Sequence, residues 1–280
     1  MQILHKNKWG YILLLSILAE VLLTVIIPET KGYFFNVLEN KSTNLIIFSL
    51  ICYFLNYFLV SAQQAVKPYL QTRYSLAVRA ENQIIVNEKY HLSIPIENAE
   101  QRIQEDIKLT ISNFIKVWSE YLISGLVVVI LIIQNYHNPT LVGIALVYSV
   151  ISILIAYIFS PKMISTEKIV QKQEAQFRKD ISALNYLLFP EVIKANIASA
   201  SIRLNYGIFA NLQNAIMMVA PFFVLAPMYF QGLVSLGDMM AIATTFDLLV
   251  LNMSVLINMF PLLTQANASK ERVKELFDKM

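Results

Sequence analysis

Apolar residues in this chain come in long runs, separated by stretches in which charges recur every few positions. Six runs approach the roughly 20 residues that cross about 30 Å of hydrocarbon as a helix. They are Gly10–Ile27, Thr43–Val66, Val117–Gln134, Leu141–Ser160, Tyr206–Phe230 and Met239–Leu263. The last two contain Asn211, Gln213, Asn214, Asp247 and Asn252, which predicts faces turned towards protein or a cavity as well as lipid. The two long connections also read as helix. Tyr69–Leu92 and Ser165–Leu188 place apolar positions at mixed three- and four-residue spacing, with Glu, Lys and Arg between them. Pro95 and Pro190 each break a connection near its turn. Spans two to five are thus expected to continue as long helices beyond the membrane. The opposite turns, His137–Thr140 and Gly232–Gly237, are tight. The prediction is an all-α membrane protein, a single transmembrane domain over residues 1–280.

Composition agrees. Of the 280 residues, 56% are hydrophobic and 15% charged, against about 25% charged in an ordinary soluble domain. The net charge of +3 gains meaning only when the charges are placed. Of the 22 Lys and Arg residues, 20 fall at the termini and in the two long connections; only Lys31 and Lys41 fall on the other side. The positive-inside rule then puts both termini and both connections in the cytoplasm, and six spans with both ends inside is self-consistent. The first run, preceded by Lys6 and Lys8, resembles a signal peptide, but Glu20 occupies the expected cleavage region and five more spans follow.

Several chemistries find no support. No segment matches G-x-x-x-x-G-K-[ST], so ATP hydrolysis through a P-loop is excluded. His5, His91 and His137 lie in different segments without metal-ligand spacing, and the single cysteine, Cys52, reads as a small buried apolar residue. No cofactor or metal is expected, and no catalytic constellation marks an enzyme. The basic stretches follow topology and are rich in acids too, which argues against nucleic-acid binding.

Long inner legs with short outer turns resemble the membrane part of an ABC exporter. From Glu97 to Asp106 the chain reads E-N-A-E-Q-R-I-Q-E-D. This resembles a cytoplasmic motif shared by the SbmA/BacA peptide-uptake transporters and the membrane domains of peroxisomal-type ABC transporters. Further similarities follow in order. Arg79 fits an arginine preceding that motif; Gln101, Arg102 and Asp106 lie within it. Glu167, then Glu174 to Asp180 with Arg178, looks like the start of the second inner leg. Pro227–Gly232 and Leu236–Met240, including Gly232 and Gly237, resemble the turn between the last two spans, and Arg272 fits an arginine just after the last span. In place of a glutamate near the end of that span stands Gln265, and Ala241 replaces a usual glutamine. The chain has room for six spans and two legs but not for an ATPase, which favours the SbmA/BacA side. That resemblance implies a homodimer in the bacterial inner membrane, driven by the proton gradient and importing peptides or peptide antibiotics. The alternatives are the membrane subunit of an ABC transporter with a separate ATPase chain, and a non-transporting membrane partner.

Ionisable groups inside spans are costly and therefore functional candidates. Glu20 lies among Ile17, Leu18, Val21 and Leu22, where it either couples protons or bonds a neighbouring helix. Glu120 and Asp247 are the other carboxylates within spans. Glu97, Glu105, Glu167 and Glu174 sit on the inner legs, where spacing alone reads them as solvated; the resemblance implies a glutamate-lined cavity that would attract cationic peptides. Arg102 and Asp106 are expected to hold the legs together by ion pairs, across the dimer or between legs, a structural role. Tyr33, Phe34 and Phe35 read as an interfacial aromatic belt.

Overall fold

The computed structural model describes residues 7–90, 105–136 and 189–279, with isolated positions between 143 and 169. Among them there is no strand. Among the described residues six helices carry the fold: α1 (Lys8–Glu39), α2 (Thr43–Tyr90), α3 (Ile107–Gln134), α4 (Phe189–Phe230), α5 (Leu236–Asn258) and α6 (Phe260–Lys279). By length and composition four described stretches can cross a membrane: Lys8–Glu39, Thr43–Ile84, Ile107–Gln134 and Leu236–Val255. Met218–Phe230 is a shorter apolar helix, in the fifth predicted run. Most of the fourth run and the second inner leg lie outside the described residues.

α1 starts where the Asn7 side chain accepts the backbone N–H of Trp9 at 3.1 Å. It continues through Pro28 to Glu39, with Asn40 as its C-cap. Lys41 then adopts the left-handed region at φ 52°, and Ser42 N–H bonds back to Val37 O at 3.2 Å. This closes the helix as a left-handed cap does and folds α2 back along α1. α2 has 48 residues, about 72 Å at 1.5 Å per residue, far more than a bilayer needs. The predicted inner leg from Tyr69 is therefore one continuous helix with the second span, interrupted only by Pro68.

The exposed large apolar residues of α2, among them Ile47, Phe48, Phe54 and Phe58, face outward as lipid requires. Its buried stripe is Ser49, Asn56, Val60, Lys67, Leu70, Tyr74, Val78 and Asn82, mixing apolar with polar groups. Leu13, Ile17, Val21 and Val25 of α1 pack in one core with Leu70, Tyr74 and Val78 of α2, the Ile107–Leu131 stripe of α3, and Phe246, Leu249 and Val250 of α5. Lipid is as apolar as these side chains, so close van der Waals fit and small residues hold such helices together.

The α1–α5 crossing shows this. A Cβ on Gly237 would fall on the Gly32 carbonyl oxygen and the Asn36 side chain, and one on Gly32 would lie 3.0 Å from both Ala241 Cβ and Gly237 O. Before α5, Gly232 takes φ 71° in the turn that ends α4, a conformation glycine adopts at little cost. Ser235 and Asp238 then form a reciprocal cap: Asp238 N–H donates to Ser235 Oγ at 3.0 Å, and Ser235 Oγ donates to Asp238 Oδ2 at 2.6 Å.

Three expectations need correcting. The sixth span does not reach Leu263: α5 ends at Asn258, and α6 begins at Phe260 after a turn at Met259. Pro261 lacks the N–H that would bond one turn back, which explains the break. Cys52 is half-buried rather than buried. Lys67, counted above with the cytoplasmic cations, is buried at 9% exposure.

Candidate coupling site

The hairpin of α1 and α2 brings Glu20 opposite Lys67, and α3 brings Glu120 to the same point. Lys67 Nζ lies 3.1 Å from Glu20 Oε1 and 3.0 Å from Glu120 Oε1, and it also donates to Glu120 Oε2 at 3.2 Å. One ammonium thus bridges two carboxylates from two other helices. Glu20 is 3% exposed, and Glu120 is half-buried. One turn earlier on α1, the Ser16 hydroxyl and carbonyl both accept from Gln63 Nε2, the carbonyl at 2.8 Å, which pins α2 beside the cluster.

With all three groups ionised the cluster bears one net negative charge. Burying that charge in hydrocarbon is costly, and a single proton would neutralise it. The geometry leaves a place for one: Glu20 Oε2 is buried without a hydrogen-bond partner among the described residues, while Oε1 is held by Lys67. A buried acceptor of this kind normally finds a donor.

Of the other carboxylates, Asp247 sits half-buried on α5, with Oδ1 buried and without a hydrogen-bond partner among the described residues. Glu105 is exposed just before α3, and Asp106 beside it is buried. Glu97, Gln101, Arg102, Glu167, Glu174 and Arg178 lie outside the described residues. Arg79 is half-buried on α2, and Arg272 falls within α6, which follows the last candidate span. Gly232 and Gly237 serve the turn and the helix crossing, as described. Gln265 accepts from Asn113 Nδ2 at 3.0 Å, a neutral amide contact joining α6 to α3. Phe34 stacks on Tyr53 with ring centres 5.6 Å apart.

Lys67 is the residue the sequence reading misses. Its signal is its place at the end of an apolar run on the second arm of a hairpin whose first arm carries a mid-span glutamate.

The family model for the ABC transporter transmembrane region 2 matches residues 4–186. The chain belongs to this family. The match spans α1, α2 and α3, and so takes in the whole Glu20–Lys67–Glu120 triad. No curated protein matches the chain. Membership in the ABC transporter transmembrane region 2 family, together with the four long apolar helices, makes this an all-α membrane protein with a transport role.

Proposed function

We propose that the protein takes up peptides or similar amphipathic solutes across the bacterial inner membrane, as a homodimer that alternates access and is driven by protons. On this reading both termini face the cytoplasm, no cofactor is used, the chain catalyses no reaction of its own, and it is of the SbmA/BacA type. The observation that supports it is the triad: two carboxylates share one lysine, and one carboxylate oxygen is buried without a donor. Such a cluster changes its net charge by one when it gains or loses a proton, and burial makes that change matter energetically.

The test is uptake of a fluorescent cationic decapeptide into proteoliposomes holding the purified full chain. An inward proton gradient is expected to drive accumulation, a protonophore to abolish it, and Glu20→Gln to reduce it to the level of empty liposomes. Accumulation unaffected by the protonophore would sink the reading.

Family membership favours a second reading, the membrane subunit of an ABC transporter whose ATPase is a separate chain. It predicts uptake that depends strictly on ATP and an added ATPase subunit, whatever the proton gradient.

A further inference from the structure

The start of α1 and the middle of α2 meet in a cluster of cations and aromatic rings. Trp9 is half-buried and packs against the core, which holds its ring in place. Lys8 Nζ lies 5.7 Å from the centre of that ring, and so does the Arg73 guanidinium. Arg73 also covers the Tyr69 ring at 5.3 Å, and its Nε donates to the Tyr69 hydroxyl at 2.9 Å. Beside it, Tyr74 packs so closely that a Cβ on Gly10 would lie 3.0 Å from its ring. Aromatic faces on two helices thus fix the two cations.

No counter-charge accompanies them. Lys8 and Arg73 are exposed, and among the described residues neither pairs with a carboxylate. Lys67, by contrast, has two carboxylates to itself. The Arg73 hydrogen bond to Tyr69 takes only its Nε. Its two Nη groups, part of a fork that fits a phosphate, have no hydrogen-bond partner among the described residues.

The cluster lies where a lipid headgroup lies. α1 has 32 residues, about 48 Å, close to the roughly 40–45 Å of a bilayer with both headgroup layers. Its first turn therefore stands at headgroup level when the helix spans. Tyr11, Leu15, Leu18 and Leu22 are exposed. They follow Lys8 at spacings of three and four, so one apolar stripe runs from the cations along the helix into the hydrocarbon. A free anion would fit the fork and gain nothing from that stripe. An anion carrying an acyl chain fits both.

We infer that Lys8, Trp9, Tyr69 and Arg73 bind the headgroup of an anionic phospholipid, with its phosphate on the Arg73 fork, the Lys8 charge beside it, and an acyl chain along the stripe that starts at Tyr11. The inference goes beyond the proton-coupled reading and does not depend on it. The site joins the first turn of α1 to α2 five residues beyond Pro68, so an occupied site stabilises the fold.

The experiment titrates the full chain, in neutral detergent micelles, with phosphatidylglycerol. Phosphatidylcholine is the zwitterionic arm and inorganic phosphate the free-anion arm. Trp9 is one of two tryptophans, so in a Trp118→Phe background its emission reports the site directly; the melting temperature is the second readout. Phosphatidylglycerol is expected to shift the emission and raise the melting temperature, and phosphatidylcholine to do neither. Lys8→Gln and Arg73→Gln should each weaken phosphatidylglycerol binding about fivefold, and the double variant about thirtyfold, as two cation contacts to an anionic lipid imply. Lys270→Gln, which removes an exposed cation from another ring, that of Phe114, should leave binding unchanged. Undiminished affinity in the double variant overturns the site; if that variant does not fold, undiminished affinity in both single variants does. An equal loss in Lys270→Gln also overturns it, since net charge alone would then account for the attraction. Saturation by inorganic phosphate at the concentration where phosphatidylglycerol saturates assigns the fork to a free anion and overturns the lipid.

Discussion

At the junction between α1 and α5, four successive backbone donors at the start of α5 all find acceptors. Ser235 N–H reaches Asp238 Oδ2 at 3.3 Å, Leu236 N–H reaches Glu39 Oε2 at 2.8 Å, Gly237 N–H reaches Asn36 Oδ1 at 3.0 Å, and Asp238 N–H reaches Ser235 Oγ at 3.0 Å. Two of the acceptors come from α1, so a helix terminus that normally leaves donors open is sealed by its neighbour. The Glu20–Lys67–Glu120 triad is the reverse. It draws on three helices around buried Lys67 and Glu20, yet with all three groups ionised it carries an unbalanced charge, and it holds a carboxylate oxygen without a donor among the described residues. The first arrangement has one satisfied state and resists change. The second is satisfied only after its proton count changes. The contrast separates a part built to stay closed from a part built to respond.

Four substitutions probe that contrast, from the largest expected effect on stability to the smallest. Lys67→Met removes the cation shared by buried Glu20 and half-buried Glu120 and should destabilise the fold by about 3–5 kcal/mol, read as a lower melting temperature of the purified protein in detergent. An unchanged melt would mean the triad is not a buried ion cluster. Gly237→Leu pushes a side chain into the Gly32 carbonyl and Asn36 and should cost about 1–3 kcal/mol, with the same readout; a neutral result would refute the tight crossing. Ser235→Ala removes one cap acceptor and should cost about 1 kcal/mol, read by hydrogen exchange at the Asp238 amide, which should speed up. Glu20→Gln should barely move the melt, because it leaves Lys67 paired with Glu120 and removes the unbalanced charge. A large loss of stability in this variant would reverse the comparison and make Glu20 a structural group.

Much of this was legible beforehand, and the failures have physical causes. Run length and residue spacing find α1, α2 and α3, because hydrocarbon thickness imposes a length that hydropathy can read. Glu20 stands out for the same reason, as a charge inside an apolar run. Lys67 does not, since a linear reading ends a span at the first charge. Its burial depends on the α1–α2 register, which the turn at Asn40–Ser42 sets. The end of the sixth span is missed because Met259, Phe260, Pro261 and Leu262 are all apolar, and hydropathy cannot register a missing N–H. Gly237 is visible only as part of a motif; the carbonyl it must approach belongs to a helix two hundred residues earlier in the chain.

The length of α2 bears on what the triad can move. Lys67 stands near the middle of this 48-residue helix, with Pro68 immediately after it. Pro68 cannot bond to the Gln64 carbonyl, which makes this the most compliant point of the rod. From Lys67 to Tyr90 the helix extends about 34 Å. A tilt of about 5° at that joint would swing its far end by about 3 Å, the width of a water molecule. α2 is in mechanical terms a lever arm whose proline joint adjoins the ion cluster, so that a small tilt there is magnified into a displacement of several ångströms at Tyr90.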